Sequence, residues 1–260
     1  MINVSPQLHR GFSLRFWMTA IATMGMTFFA YMQPVLQILQ NGGQITQGYH
    51  NELTSTALSS DTLVAFLPAL AAIPLSAGYL EDVKSKVSRF FLIRGSYSGY
   101  LLGNCIACWL CGGGAVLLGA LSAWGITATI FLPLERVLDN PPALGMQIVE
   151  QLALLFLNSG LWAVLGMTMS TIMESNYIAY ASPFIVYYML VILYERYFPD
   201  AWLLYPKNWL NPEIWPYGVG SAALFLLELT FLCGLVFYIR GKGGWSSYER
   251  DSSILFHRRL

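Results

Sequence analysis

Charge is what this 260-residue sequence has least of. Asp, Glu, Lys and Arg make up 11% of it, against roughly 25% in an ordinary soluble domain. A chain so short of polar dressing cannot cover an aqueous surface. The 14 basic side chains balance the 14 acidic ones, so no basic face for nucleic acid is implied. Catalytic signatures are missing as well. The three histidines, His9, His50 and His257, lie outside the apolar runs, and neither His-Glu-x-x-His nor Gly-x-Ser-x-Gly occurs. There is no Gly-x-x-x-x-Gly-Lys-Ser/Thr, so this chain binds no ATP through a P-loop. All four cysteines, Cys105, Cys108, Cys111 and Cys233, sit inside apolar runs, which excludes a secreted disulfide framework. The first long apolar run leads into Pro34 and glutamines without a small-residue cleavage pattern, so no cleavable signal peptide is expected.

What is present is apolar: 56% of residues, with aromatics at 15%. A bilayer core about 30 Å thick takes roughly 20 apolar residues per helix. Six segments meet that requirement, at 16–36, 63–80, 97–124, 144–172, 178–194 and 217–239. The runs are continuous and lack the two-residue alternation of barrel strands, so they predict helices. Pro68 and Pro74 predict a kink in the second. The fold class expected is an all-α integral membrane protein in one domain over 1–260, with six transmembrane helices. With six spans the termini share a side. Arg10, Arg15, Lys84, Lys86, Arg89, Arg94, Arg240, Lys242, Arg250, Arg258 and Arg259 then fall on one face, against Arg136, Arg196 and Lys207 on the other. That bias places both termini in the cytoplasm. The stretch 37–60, free of Lys and Arg, is expected to be an external hairpin loop, and the tail from Gly241 to be too short to fold alone.

The cytoplasmic connection between spans two and three carries Glu81, Asp82, Lys84, Lys86, Arg89 and Arg94. Val83, Val87, Phe90 and Phe91 recur among them at helical spacing. Such a segment lies on the membrane surface, either as a topology anchor or as a docking helix for a cytoplasmic protein. Its mixed signs favour a protein partner over a purely anionic surface. Gly95, Gly99 and Gly103 follow at four-residue spacing, one face of a tight helix crossing. Movement of the charged segment would pass directly to that crossing.

Glu228 stands in "LFLLELTFL", near the middle of the sixth span. An ionisable group at that depth must face protein or a water-filled cavity. Asn158, at mid-depth of the fourth span, is its candidate partner. The pair is either an interhelical hydrogen bond or part of a substrate path. Glu150, nearer the end of that span, can reach water. Cys105, Cys108 and Cys111 recur every third residue; packing accounts for them better than a thiolate metal site. The segment "ERYFPDAWLLYPKNWLNPEIWPYG" repeats Pro among Trp and Tyr, which breaks it into short interfacial helices. It reads as an interfacial loop or as an outer gate.

In sum these residues resemble the permease subunits of type-two ATP-binding-cassette transporters. The likeness rests on the six spans, an amphipathic segment around 5–15, the run "EDVKSKVSRFFLIRGSYSGYLLGN", and "YPKNWLNPEIW", which resembles that family's external re-entrant region before the last span. Asn104 departs from the family, where many members carry lysine. The resemblance implies a multi-pass protein of a bacterial plasma membrane, paired with a second permease copy or a homologous permease. It implies two copies of a separate ATPase subunit, which would hold the ATP and Mg; this chain would carry no cofactor, no metal and no catalytic residue. Glu81, Asp82, Lys84, Arg89 and Arg94 would be coupling residues, with Glu174 in the turn 173–177 as a second contact. Export of a peptide or other amphipathic compound, including antimicrobial-peptide export or self-protection, is the substrate class implied. The alternative is a non-transporting membrane scaffold or sensor that recruits a cytoplasmic partner.

Overall fold

The protein's structure, a computed structural model, describes residues 5–41, 47–85, 97–135 and 144–257. Among these residues every regular element is helical. In chain order they are α1 (Ser5–Gly11), α2 (Leu14–Asn41), α3 (Tyr49–Leu58), α4 (Asp61–Ala72), α5 (Gly78–Lys84), α6 (Tyr97–Phe131), α7 (Leu144–Met173), α8 (Asn176–Arg196) and α9 (Val219–His257). Short 3-10 turns lie between α8 and α9 and at the end of α6. Four stretches are long and apolar enough to cross a membrane: 97–134, 145–173, 176–196 and 219–243. A fifth is available if α3 and α4, bent by 64° across Ser59 and Ser60, count as one span.

The central helix is α7. Its most apolar stretch is 72% buried, against 17% in α8 and in α9. It packs against α6, α9, α8 and α4, while α6 also packs on α2. Small residues permit these approaches, since packing rather than water drives helix association in lipid. A Cβ on Gly112 would fall 2.4 Å from the Ala163 Cβ of α7, and one on Gly113 would fall 2.7 Å from the Phe156 carbonyl. On the opposite side of α6, a Cβ on Gly119 would fall 2.5 Å from the Ala20 carbonyl of α2. Gly99 and Gly103 are buried, and Gly112, Gly113 and Gly119 of the same helix make close crossings. Gly95 lies outside the described residues.

The second apolar segment is indeed broken. After Ala72 the chain runs through turns over 73–77, where Pro74 has no N–H to continue the ladder, and resumes as α5. Two sequence expectations need correction. The stretch 37–60 is not all loop, because α3 forms within it. Tyr49, Leu53 and Ala57 lie at i, i+4 spacing and pack against Tyr31, Ala123 and their neighbours. The third span runs past 124 to Phe131, since "GITATIF" keeps the helix apolar. The backbone after Gly241 continues the last helix to His257.

Candidate functional site

One of the two shortest helices, α5, has a dense set of polar connections. α5 spans seven residues and reaches four other helices. Buried Asp82 pairs with Arg10 of α1 and accepts a hydrogen bond from the Tyr100 hydroxyl of α6 at 2.9 Å. Glu81 accepts from Arg10 at 3.4 Å and from Arg15 of α2 at 3.2 Å. Arg15 also reaches the Tyr180 hydroxyl of α8, at 3.4 Å. Tyr79 stands 3.1 Å from the Tyr97 hydroxyl, which donates to the Gly241 carbonyl of α9 at 3.0 Å. The Tyr79 ring meets Phe237 edge-on at 4.9 Å between centroids. The sequence makes this possible because i and i+3 of one short helix aim Tyr79 and Asp82 to the same side. The adjacent Glu81 points toward α1 and α2.

The charged cluster singled out by sequence therefore divides. Glu81 and Asp82 are turned inward to Arg10, Arg15 and Tyr100, whereas Lys84 is exposed. Arg89 and Arg94 lie outside the described residues. Glu174 is exposed in the α7–α8 turn and holds a left-handed backbone at φ 54°. Sequence reading missed Arg10 and Arg15 as partners of the cluster, for nothing local in the chain joins residues more than sixty positions apart. Tyr79, Tyr97 and Tyr100 carried a signal: three hydroxyls among apolar residues beside the charged segment.

Asn158 and Glu228 are not brought together. Asn158 is buried, with its Oδ1 lacking a hydrogen-bond partner, whereas Glu228 is on the exposed face of α9. The periodicity was compatible with both facing inward, but α7 takes the centre of the bundle and α9 its margin. Beside Glu228 an open apolar groove of about 540 Å³ runs between α6 and α9, lined by Leu102, Ile106, Trp109, Leu227, Phe231 and Leu235 among others. The cysteine row packs the core. Cys108 donates to the Ala163 carbonyl at 3.4 Å, and the Cys111 sulfur lies against Gly11 of α1. Among the described residues no three His, Cys, Asp or Glu side chains converge as metal ligands.

At the other end of the bundle the proline-rich segment folds as three 3-10 turns, Trp202–Leu204, Pro206–Leu210 and Pro212–Ile214. Trp209 stacks on Trp162 of α7 with centroids 5.8 Å apart, and Trp215 packs on Phe225 of α9. The Trp209 and Trp215 indole N–H groups donate to the carbonyls of Leu203 and Asn208, at 2.8 and 2.9 Å. Lys207 pairs with Asp61 at the start of α4. Near the end of α6, Glu135 accepts from the backbone N–H of Gly48 at 2.8 Å and of His50 at 3.0 Å, and its Oε1 lies 2.6 Å from His50 Nδ1. Burial alone pushes the Glu135 carboxyl up; the contacts from His50 and Gly48 outweigh it and hold the group below the ordinary value of 4.5. A depressed carboxyl contributes stability above its unfolded pKa and loses it as pH falls through the folded one. Docking of α3 on α6 is therefore expected to weaken as pH falls below the ordinary carboxyl value and through the lower value of the folded state. Glu135→Gln should remove that acid sensitivity, as read by hydrogen exchange of the Gly48 and His50 amides between pH 6 and pH 3.

Comparisons with family models, with curated proteins and with solved structures return no match. The class rests on the helices themselves: several long apolar helices around one buried one, the build of a membrane-embedded all-α protein.

Proposed function

We propose that this chain is the permease subunit of an ATP-driven exporter in a bacterial plasma membrane, working with a separate ATPase that supplies the nucleotide chemistry. It crosses the bilayer six times with both termini in the cytoplasm. The crossings are α2, the kinked α4–α5 segment, α6, α7, α8 and α9. Arg10, Arg15, Lys84 and Lys242 gather at the α5 end, which agrees with cytoplasmic placement of that end. The observation that carries the reading is the position of α5. A short helix at one end of the bundle holds α1, α2, α6 and α9 through Asp82, Glu81 and Tyr79. A partner that displaces α5 acts on four helices at once. The substrate is a peptide or other amphipathic compound, for which the apolar margins of the bundle are suited. The Trp-rich 3-10 segment forms the outer closure.

The alternative, a non-transporting scaffold or sensor, draws support from Glu81 and Asp82 being engaged within the protomer. That leaves Lys84 as the outward charge of α5. Affinity purification separates the two readings. With a permease, a P-loop ATPase co-purifies, and the triple variant Lys84→Glu, Arg89→Glu, Arg94→Glu loses it or uncouples hydrolysis from substrate. Purification in lipid without any ATPase, or full coupling in the triple variant, would sink the docking assignment.

A further inference from the structure

The open groove between α6 and α9 is walled by Leu102, Ile106 and Trp109 on one side and by Leu227, Phe231 and Tyr238 on the other. The two helices run antiparallel, with Ser98 beside Tyr238 and Cys105 beside Gly234. Close approach at Gly234, where a Cβ would fall 3.1 Å from the Cys105 sulfur, sets the floor between taller side chains. From Leu227 to Tyr238 the α9 wall is about 16 Å long at 1.5 Å per residue, close to half of a hydrocarbon core about 30 Å thick. Tyr238 stands at the α5 end of the bundle, where the Tyr97 hydroxyl meets Tyr79 of α5 and the Gly241 carbonyl. The groove thus has the length of one leaflet and starts at the bundle end.

Its polar atoms are spent inside the protein. The Thr230 hydroxyl donates to the Leu226 carbonyl at 2.7 Å, and the Tyr238 hydroxyl donates to Ser98 Oγ at 3.1 Å. The Trp109 indole nitrogen is turned to α7, 2.5 Å from where a Cβ on Gly160 would stand. Walls that offer carbon in place of donors and acceptors stay dry and take apolar ligands. The mouth, by contrast, carries a charge. Lys242 is exposed one turn beyond Tyr238 on the same face, with its ammonium 5.5 Å from the centre of the Tyr238 ring. Arg240 is exposed as well, but it leaves the opposite side of the helix.

We propose that the groove is a binding site for one anionic phospholipid, with an acyl chain between α6 and α9 and the headgroup resting on Lys242. The apolar walls fix the chain, and the single cation at the mouth selects the headgroup. One lysine at the membrane surface favours net negative charge about fivefold over a zwitterionic lipid. The bound lipid ties α6 to α9 along the leaflet where the two helices leave a gap. This inference rests on the membrane-embedded state and not on the identity of any motor.

The test titrates the delipidated full-length chain in detergent with phosphatidylglycerol and, separately, phosphatidylcholine of the same acyl chains, and reads the first lipid bound by native mass spectrometry. Phosphatidylglycerol should bind about fivefold more tightly. Lys242→Gln should abolish that preference while leaving phosphatidylcholine unchanged. Arg240→Gln removes the same charge from the other side of α9 and should keep the preference. Ile106→Trp, which fills the groove from a position 39% exposed, should weaken both lipids about tenfold. Unchanged thermal melting verifies that the variants are folded, and Lys242→Gln alters only an exposed side chain. Equal binding of the two lipids to the wild type, equal effects of Lys242→Gln and Arg240→Gln, or full binding by folded Ile106→Trp would each overturn the proposal. None of these readouts involves an ATPase, so they fail separately from the transport reading.

Discussion

Gly119→Leu is expected to yield no folded protein, and Gly119→Ala to cost about 1–3 kcal/mol. The reason is the crossing of α6 with α2. A Cβ at this position stands 2.5 Å from the Ala20 carbonyl, 2.7 Å from Thr23 Cβ and 3.1 Å from the Met24 nitrogen. Two of those atoms are backbone, so no rotamer change makes room. The helices must separate, and separation forfeits the close packing that holds α2 to the bundle. Gly125, on the same helix, is the control. Nothing stands within 4 Å of a Cβ there. Gly125→Ala should stabilise by about 0.5–1 kcal/mol through lost backbone freedom in the unfolded chain. Thermal denaturation in detergent compares the three variants. Equal melting of Gly119→Ala and Gly125→Ala would refute the tight α2–α6 crossing.

Arg10→Ala should lower stability by about 2–3 kcal/mol, more than Glu81→Ala, at under about 1 kcal/mol. Asp82 has a side chain only 4% exposed, while Arg10 is 44% exposed. Removing Arg10 leaves a buried carboxylate with Tyr100 as its remaining partner, and an unpaired buried charge is costly. The partial exposure of Arg10 admits water, which holds the loss below the roughly 3–5 kcal/mol of fully enclosed pairs. Glu81 sits at the rim, where solvent replaces either arginine. A double-mutant cycle on Arg10 and Asp82 isolates the pair. A coupling energy near zero would mean that this pair does not fasten α5 to α1, and α1 would drop out of the helices that α5 is proposed to move.

The helical class and the main apolar segments were legible in the chain because both depend on runs of like residues, which composition and periodicity report directly. The fourth and fifth segments, expected at 144–172 and 178–194, are α7 and α8 within two residues at each end. The break in the second came from Pro74, and the short turns before α9 from repeated proline. The first segment, with its threonines and Tyr31, is less apolar than the rest, and α2 is not among the four helices that qualify as spans on length and composition. The α3 helix was overlooked since Gln, Gly, Ser and Thr around it outweighed the i, i+4 row of Tyr49, Leu53 and Ala57.

Sequence alone determined that this chain is helical and too apolar for water, for the balance of apolar to charged side chains is a property of the chain itself. It also marked Glu81, Asp82 and Glu228 as exceptional, because charge beside or within an apolar run is locally visible. Only the tertiary structure decided what those groups meet. Pairing Asp82 with Arg10 and Tyr100, and setting Glu228 apart from Asn158, follows from which helix takes the centre of the bundle. That choice is made by the small residues at the crossings. Their effect depends on the backbone opposite them, and the backbone opposite is chosen by packing across the whole fold.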